Sequence, residues 1–238
     1  MPDKPKRASE YKSEQVEFVR ATCLYVATKL GDMMDDLVIV GGLVPSLIVD
    51  QGALPEDVAA HVGTMDLDVG LQLALLDEGR YRKLTERLRD AGFSMDTNDA
   101  GNPTRQCWAI TGSRTVTVDF LIQPSLAGDK GGKLRDIEPD FAAIIAPGLR
   151  CAFQDRQRVT LEGRTLFNEK ATREIWVCGA GAYVVLKALA FDSRGENKDA
   201  YEQAATSLLA RLGPGSSTSS HATRGFIRVS PAQVLLRL

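Results

Sequence analysis

Histidine and cysteine are scarce in this chain of 238 residues. There are two histidines, His61 and His221, and four scattered cysteines, Cys23, Cys107, Cys151 and Cys178, with no C-x-x-C pair. That spacing argues against a zinc framework and points to reduced thiols in a cytoplasmic compartment. No apolar run approaches the length of a membrane span and no signal-peptide pattern is present, so the expectation is a soluble cytoplasmic protein without a membrane partner. An excess of cations is missing too. The net charge is −2, so any contact with nucleic acid would have to use a local basic patch. The apolar share of 44% is ordinary for a globular chain, and the length suits one large or two small domains.

Three stretches carry candidate chemistry. Val38-Ile39-Val40-Gly41-Gly42 reads as a buried strand running into a tight turn. Residues 43–49 then read as a helix, with Pro45 tolerated in its first turn. Gly41 and Gly42 there let backbone N–H groups approach a phosphate, although a strand ending in two glycines is commonly just a turn. Gly63-Thr64-Met65-Asp66-Leu67-Asp68-Val69 alternates in polarity. As a strand it projects Asp66 and Asp68 from one face and Leu67 and Val69 from the other. Two carboxylates so close repel unless a cation lies between them, and hard oxygen ligands at that spacing suit Mg²⁺. A solvated face is the plainer alternative. Thr64 either offers its hydroxyl to a phosphate or shapes the turn. Thr115-Val116-Thr117-Val118-Asp119-Phe120-Leu121-Ile122 places a third carboxylate, Asp119, in an apolar strand, either at an exposed edge or facing the same metal.

The remaining segments read as scaffold. Residues 1–12 are a frayed polar tail. Ser13 caps a packing helix with Val16, Val19, Cys23, Val26, Ala27 and Leu30 on its stripe and Gly31 at its end. Residues 77–91 form an amphipathic helix with Tyr81, Leu84 and Leu88 inward. Arg80, Arg82, Lys83, Arg87 and Arg89 make its outer face basic; such a face is either solvated or a contact for a phosphate backbone. Residues 105–111 and 115–122 pair as a hairpin about Gly112-Ser113. Residues 124–135 are a loop, and 149–153, 158–162 and 164–167 look like short strands. After Trp176-Val177-Cys178-Gly179 a helix carries Tyr183, Leu186, Leu189 and Ala190 on its buried stripe. Lys187 on it either snorkels or acts as a point charge for a phosphate. Lys198 and Asp199 open another helix. A Gly/Ser-rich linker near 213–220 precedes a short terminal helix. The organisation expected is a core over 13–170 and a helical C-terminal part over 171–238.

Gly41-Gly42, Asp66-x-Asp68 and Asp119 on a later strand resemble the nucleotidyltransferase superfamily with the DNA-polymerase-beta-like fold. The resemblance implies an α/β (α+β) core with a mixed sheet, followed by a helical C-terminal part. It implies glycines that hold the triphosphate and three carboxylates that bind two divalent ions, Mg²⁺ or Mn²⁺. The run Lys187, Ala190, Arg194, Lys198-Asp199 and Glu202 is similar to the C-terminal signature of the AbiEii-type nucleotidyltransferases, toxins of type IV toxin–antitoxin systems. The likeness extends over residues 37–202. By analogy Lys187 binds the nucleotide phosphate, and Asp199 supports the site with Arg194 and Lys198. The partners implied are a nucleoside triphosphate, RNA (a tRNA 3′ end) and a cognate antitoxin. A small-molecule nucleotidyltransferase, or a non-catalytic binding protein or antitoxin of the same fold, stands as the alternative.

Overall fold

A computed structural model describes residues 13–49, 64–72, 78–98 and 100–194. His61, Lys198, Asp199, Glu202, the Gly/Ser linker and both expected tails lie outside the described residues. Among those described are five α-helices and nine strands.

The first helix, α1 (Ser13–Leu30), buries the expected stripe of Val16, Val19, Cys23, Val26, Ala27 and Leu30. A 3-10 turn then leads into β1 (Leu37–Val40), buried at all four positions, as a continuous apolar run requires. A second 3-10 turn (Gly41–Leu43) and the short α2 (Val44–Ile48) follow. Then come β2 (Asp66–Leu71), α3 (Glu78–Asp90), β3 (Ser94–Thr97), β4 (Pro103–Thr111) and β5 (Thr115–Ile122). The chain continues through β6 (Leu134–Glu138), β7 (Phe141–Ile145), α4 (Leu149–Gln154), β8 (Arg156–Arg164), β9 (Lys170–Cys178) and α5 (Ala180–Arg194).

All nine strands join one open mixed sheet. Its main path runs β3-β4-β5-β2-β1-β9-β8, with β7 pairing β5 and β6 pairing β7. β1 and β2 are antiparallel, while β2–β5 and β1–β9 are parallel. The expected division at residue 170 falls at the first residue of a strand that pairs with both β1 and β8.

Helices cover both faces, and the register says which. Trp108 pairs with Val118 on β5, and both point into the core with Phe120, Tyr81, Leu84 and Leu88. α1 and α3 therefore pack on that face. Gly70 lies on the opposite one, in phase with Asp66 and Asp68, and a side chain on it would meet Val38 and Leu149 of α4. α4 and α5 pack together there: a side chain on Gly148 would strike Leu189 at 2.6 Å.

Two local expectations are corrected. Residues 149–153 form a helix, not a strand, and 165–167 lie in the turn that joins β8 to β9. A five-residue segment has no period long enough to separate the two states. The left-handed Gly148 (φ 81°) and the burial of Leu149 and Ala152 select the helix. The strands β6 and β7 were not anticipated. No helix among the described residues is long and apolar enough to cross a membrane.

Candidate functional site

The buried strand β1 ends at Val40, whose register partner on β2 is Asp68. The chain must turn there, and Gly41 does so with φ +73°. An added Cβ on Gly41 would lie 1.8 Å from Asp68 Oδ2, 2.6 Å from its Cγ and 2.8 Å from its Cβ. Only glycine allows both this conformation and this approach. The backbone of the turn thus rests against the Asp68 carboxylate, and α5 touches the same turn.

On the other side of β2 runs β5, in parallel, with Asp68 opposite Asp119 and Asp66 opposite Thr117. Neighbouring strands are about 4.8 Å apart, so Asp68 and Asp119 stand side by side on one face. Both are half-buried, and Asp66, one pleat back along β2, is 9% exposed. Thr64 is buried, and its hydroxyl donates to the Asp66 carbonyl at 2.7 Å. That bond commits the hydroxyl proton to shaping the start of β2.

Lys187 is 7% exposed, with its ammonium 5.8 Å from the centre of the Tyr183 ring. Burial pushes the Cys178 thiol up to about 12, Asp155 adds to the rise, and the charge of Lys187 opposes it. Lys187 thereby stands on the α5 side of the sheet, the side that carries the aspartates. Arg194 is the last residue of α5. The helix is anchored at its other end by Asp155, whose Oδ2 accepts from the Ala182 N–H at 2.8 Å. A carboxylate at a helix N-terminus satisfies an otherwise orphaned donor and opposes the helix dipole.

The basic face of α3 is not part of this arrangement. α3 packs on the opposite face of the sheet, and three of its five cations are tied within the protein. Arg80 pairs with Asp36, Arg87 with Asp32 and Arg89 with Asp140. Arg89 also lies over the Trp108 ring. Arg82 and Lys83 are exposed.

Sequence reasoning left Cys107 and Asp155 without a role. Cys107 is the register partner of Asp119 on β4. Its thiol donates to Asp96 Oδ2 at 3.9 Å, and Asp119 is its other carboxylate neighbour. Burial, followed by the charge and hydrogen bond of Asp119, pushes that thiol upward, so it stays protonated. The hairpin held the signal: with Thr111 opposite Thr115, residue 107 must face residue 119.

Among the described residues, no three Asp, Glu, His or Cys side chains form a group able to hold a metal ion by themselves. Mg²⁺ does not require one, because it binds through one or two carboxylates and completes its shell with water and substrate phosphates. The donors here are oxygen only, which suits Mg²⁺ or Mn²⁺ over softer metals. The missing Cβ at Gly41 is what lets the Asp68 carboxylate lie against the turn. The pair Asp68–Asp119, with Asp66 behind it, fits such an ion. No protein-family model matches the chain, and neither curated proteins nor solved structures give a significant match.

Proposed function

We propose that the chain is a metal-dependent nucleotidyltransferase, moving a nucleoside monophosphate from a nucleoside triphosphate to an acceptor hydroxyl. The observation that carries this reading is the in-register pair Asp68–Asp119 on adjacent parallel strands, with the Gly41 turn closed onto Asp68. The resemblance of these motifs to the polymerase-beta-like nucleotidyltransferases supports it.

Asp66, Asp68 and Asp119 would hold Mg²⁺ or Mn²⁺; such an ion, when bound, neutralises charge on the phosphates. The Gly41-Gly42 turn lies against Asp68 and carries no side-chain bulk, so its N–H groups suit phosphate oxygens. Lys187 contributes positive charge from the covering helix. Asp119 accepts the proton of the attacking hydroxyl. That oxygen forms a bond to the α-phosphorus, the bond to the bridging oxygen breaks, and pyrophosphate leaves.

The acceptor in this reading is RNA, a tRNA 3′ end, and the biological role is that of a toxin with a cognate antitoxin. Both rest on the likeness of residues 187–202 to the AbiEii-type toxins. A small-molecule acceptor is the second reading. It is favoured by the position of α3, whose cations lie across the sheet from the aspartates and are largely paired. The test is transfer of labelled nucleotide, from each of the four triphosphates, to purified tRNA or to an aminoglycoside. Label on tRNA that disappears in Asp68→Ala supports the first reading, and label on the aminoglycoside alone supports the second. No transfer to either, with no binding of nucleotide and Mg²⁺, leaves a non-catalytic protein.

A further inference from the structure

Asp119 has a neighbour on each side in the sheet. Asp68 is its partner on β2, and Cys107 is its partner on β4. Register partners in an antiparallel pair point from the same face with Cβ atoms about 4.5–5.5 Å apart. At that separation a thiol reaches a carboxylate. Cys107 is 8% exposed, so water does not compete for the contact. Asp68 and Asp119 repel each other, whereas the S–H of Cys107 attracts.

We propose that Cys107 is a positioning residue for Asp119: its thiol donates to one carboxylate oxygen and leaves the other turned toward the reacting hydroxyl. The inference rests on the nucleotidyl-transfer reading and adds a residue to it. Without the thiol, the Asp119 carboxylate is free to rotate about its terminal torsion, which has only broad preferences of its own. Asp96, whose Oδ2 accepts from the same thiol at 3.9 Å on the far side of Cys107, shares its single proton in alternation with Asp119. It keeps the thiol in the row of side chains that crosses β3, β4 and β5. The thiol touches neither substrate nor phosphate in this scheme, and its effect reaches the reaction only through Asp119.

Two measurements test this independently. The first is the infrared S–H stretch of the intact protein, with the Cys107 band identified by its loss in Cys107→Ala. The expected band is shifted by a carboxylate acceptor and moves toward the free-thiol position in Asp119→Asn. The second is steady-state transfer by Cys107→Ala and Cys107→Ser, both checked for unchanged thermal midpoints. Cys107→Ala should lower kcat about tenfold with little change in the KM for triphosphate, since a hydrogen bond to a charged group is lost at the step that uses Asp119. Cys107→Ser keeps a donor and should recover most of the rate. A band indifferent to Asp119→Asn, or equal rates for the Ala and Ser variants, overturns the proposal. An inactive wild-type protein overturns the transfer reading instead, and the infrared arm then decides the Cys107–Asp119 contact alone.

Discussion

Gly41→Ala should be one of the most damaging single-methyl additions in the chain, and the reason can be separated into two parts. Gly41 has φ +73°, where an L-residue pays about 1–2 kcal/mol against its right-handed alternatives. The new Cβ would also overlap Asp68, with contacts of 1.8, 2.6 and 2.8 Å to Oδ2, Cγ and Cβ. Forcing atoms into a filled space costs about 1–3 kcal/mol more as the neighbours give way. The total is roughly 2–5 kcal/mol, a large part of a typical domain's stability. The contact part depends on the side chain at position 68 and the backbone part does not. In an Asp68→Gly background all three clashing atoms are gone, and Gly41→Ala should cost only about 1–2 kcal/mol. Urea unfolding of the four proteins gives the cycle, provided the m-values agree. The predicted coupling is about 1–3 kcal/mol. Additivity within about 0.5 kcal/mol would refute the close approach of the turn to Asp68.

Asp155→Ala should lower stability by about 0.5–2 kcal/mol through loss of the Ala182 N–H acceptor, and Asp155→Asn should recover part of it; identical unfolding curves would show that α5 needs no anchor. Asp129 accepts from Arg135 and from the Leu126 and Ser125 N–H groups, which hold its carboxyl down at about 2, against an ordinary 3.8. Its folded value is the lower one, so its contribution is complete above 3.8 and is lost as pH falls toward 2. Asp129→Asn should flatten the stability–pH curve in that window, and a variant with an unchanged acid slope would contradict this. Lys187→Met keeps most of the buried stem and removes the charge. It should weaken triphosphate binding about 10–100-fold, read by titration of a fluorescent analogue, with the fold intact. Unaltered affinity together with altered stability would make Lys187 a packing residue.

What was legible in the sequence is what local pattern determines. α1, β2, the β4–β5 hairpin and α5 announce themselves by period and by turn residues, because side chains repeat with the backbone that carries them. The hairpin even specifies that residue 107 faces residue 119. The pairing of β2 with β5 is different in kind. The two strands are more than forty residues apart in the chain, and nothing local in either says that Asp68 will stand opposite Asp119. A shared metal was one of two readings of Asp119, beside an exposed edge, and the resemblance favoured it.

The same limit governs α3. Its amphipathic stripe is plain in the sequence, and Tyr81, Leu84 and Leu88 are buried as that stripe requires. Which face of the sheet receives it is decided by Trp108, Phe120 and Phe141, on three strands that follow it in the chain. The consequence is functional. Arg80, Arg87 and Arg89 look like a free basic surface until Asp36, Asp32 and Asp140 arrive from elsewhere in the chain to meet them. A long acceptor held near Asp119 would have to pass around the sheet edge to reach Arg82 and Lys83, two of the three α3 cations that are exposed. Substituting both with Ala should therefore leave transfer to a short acceptor unchanged. If RNA is the acceptor, the salt dependence of its binding should not flatten either, since each phosphate contact removed lowers that slope by about 0.7–0.9. A flattened slope would mean that RNA does wrap to the α3 face and that the sheet is no barrier to it.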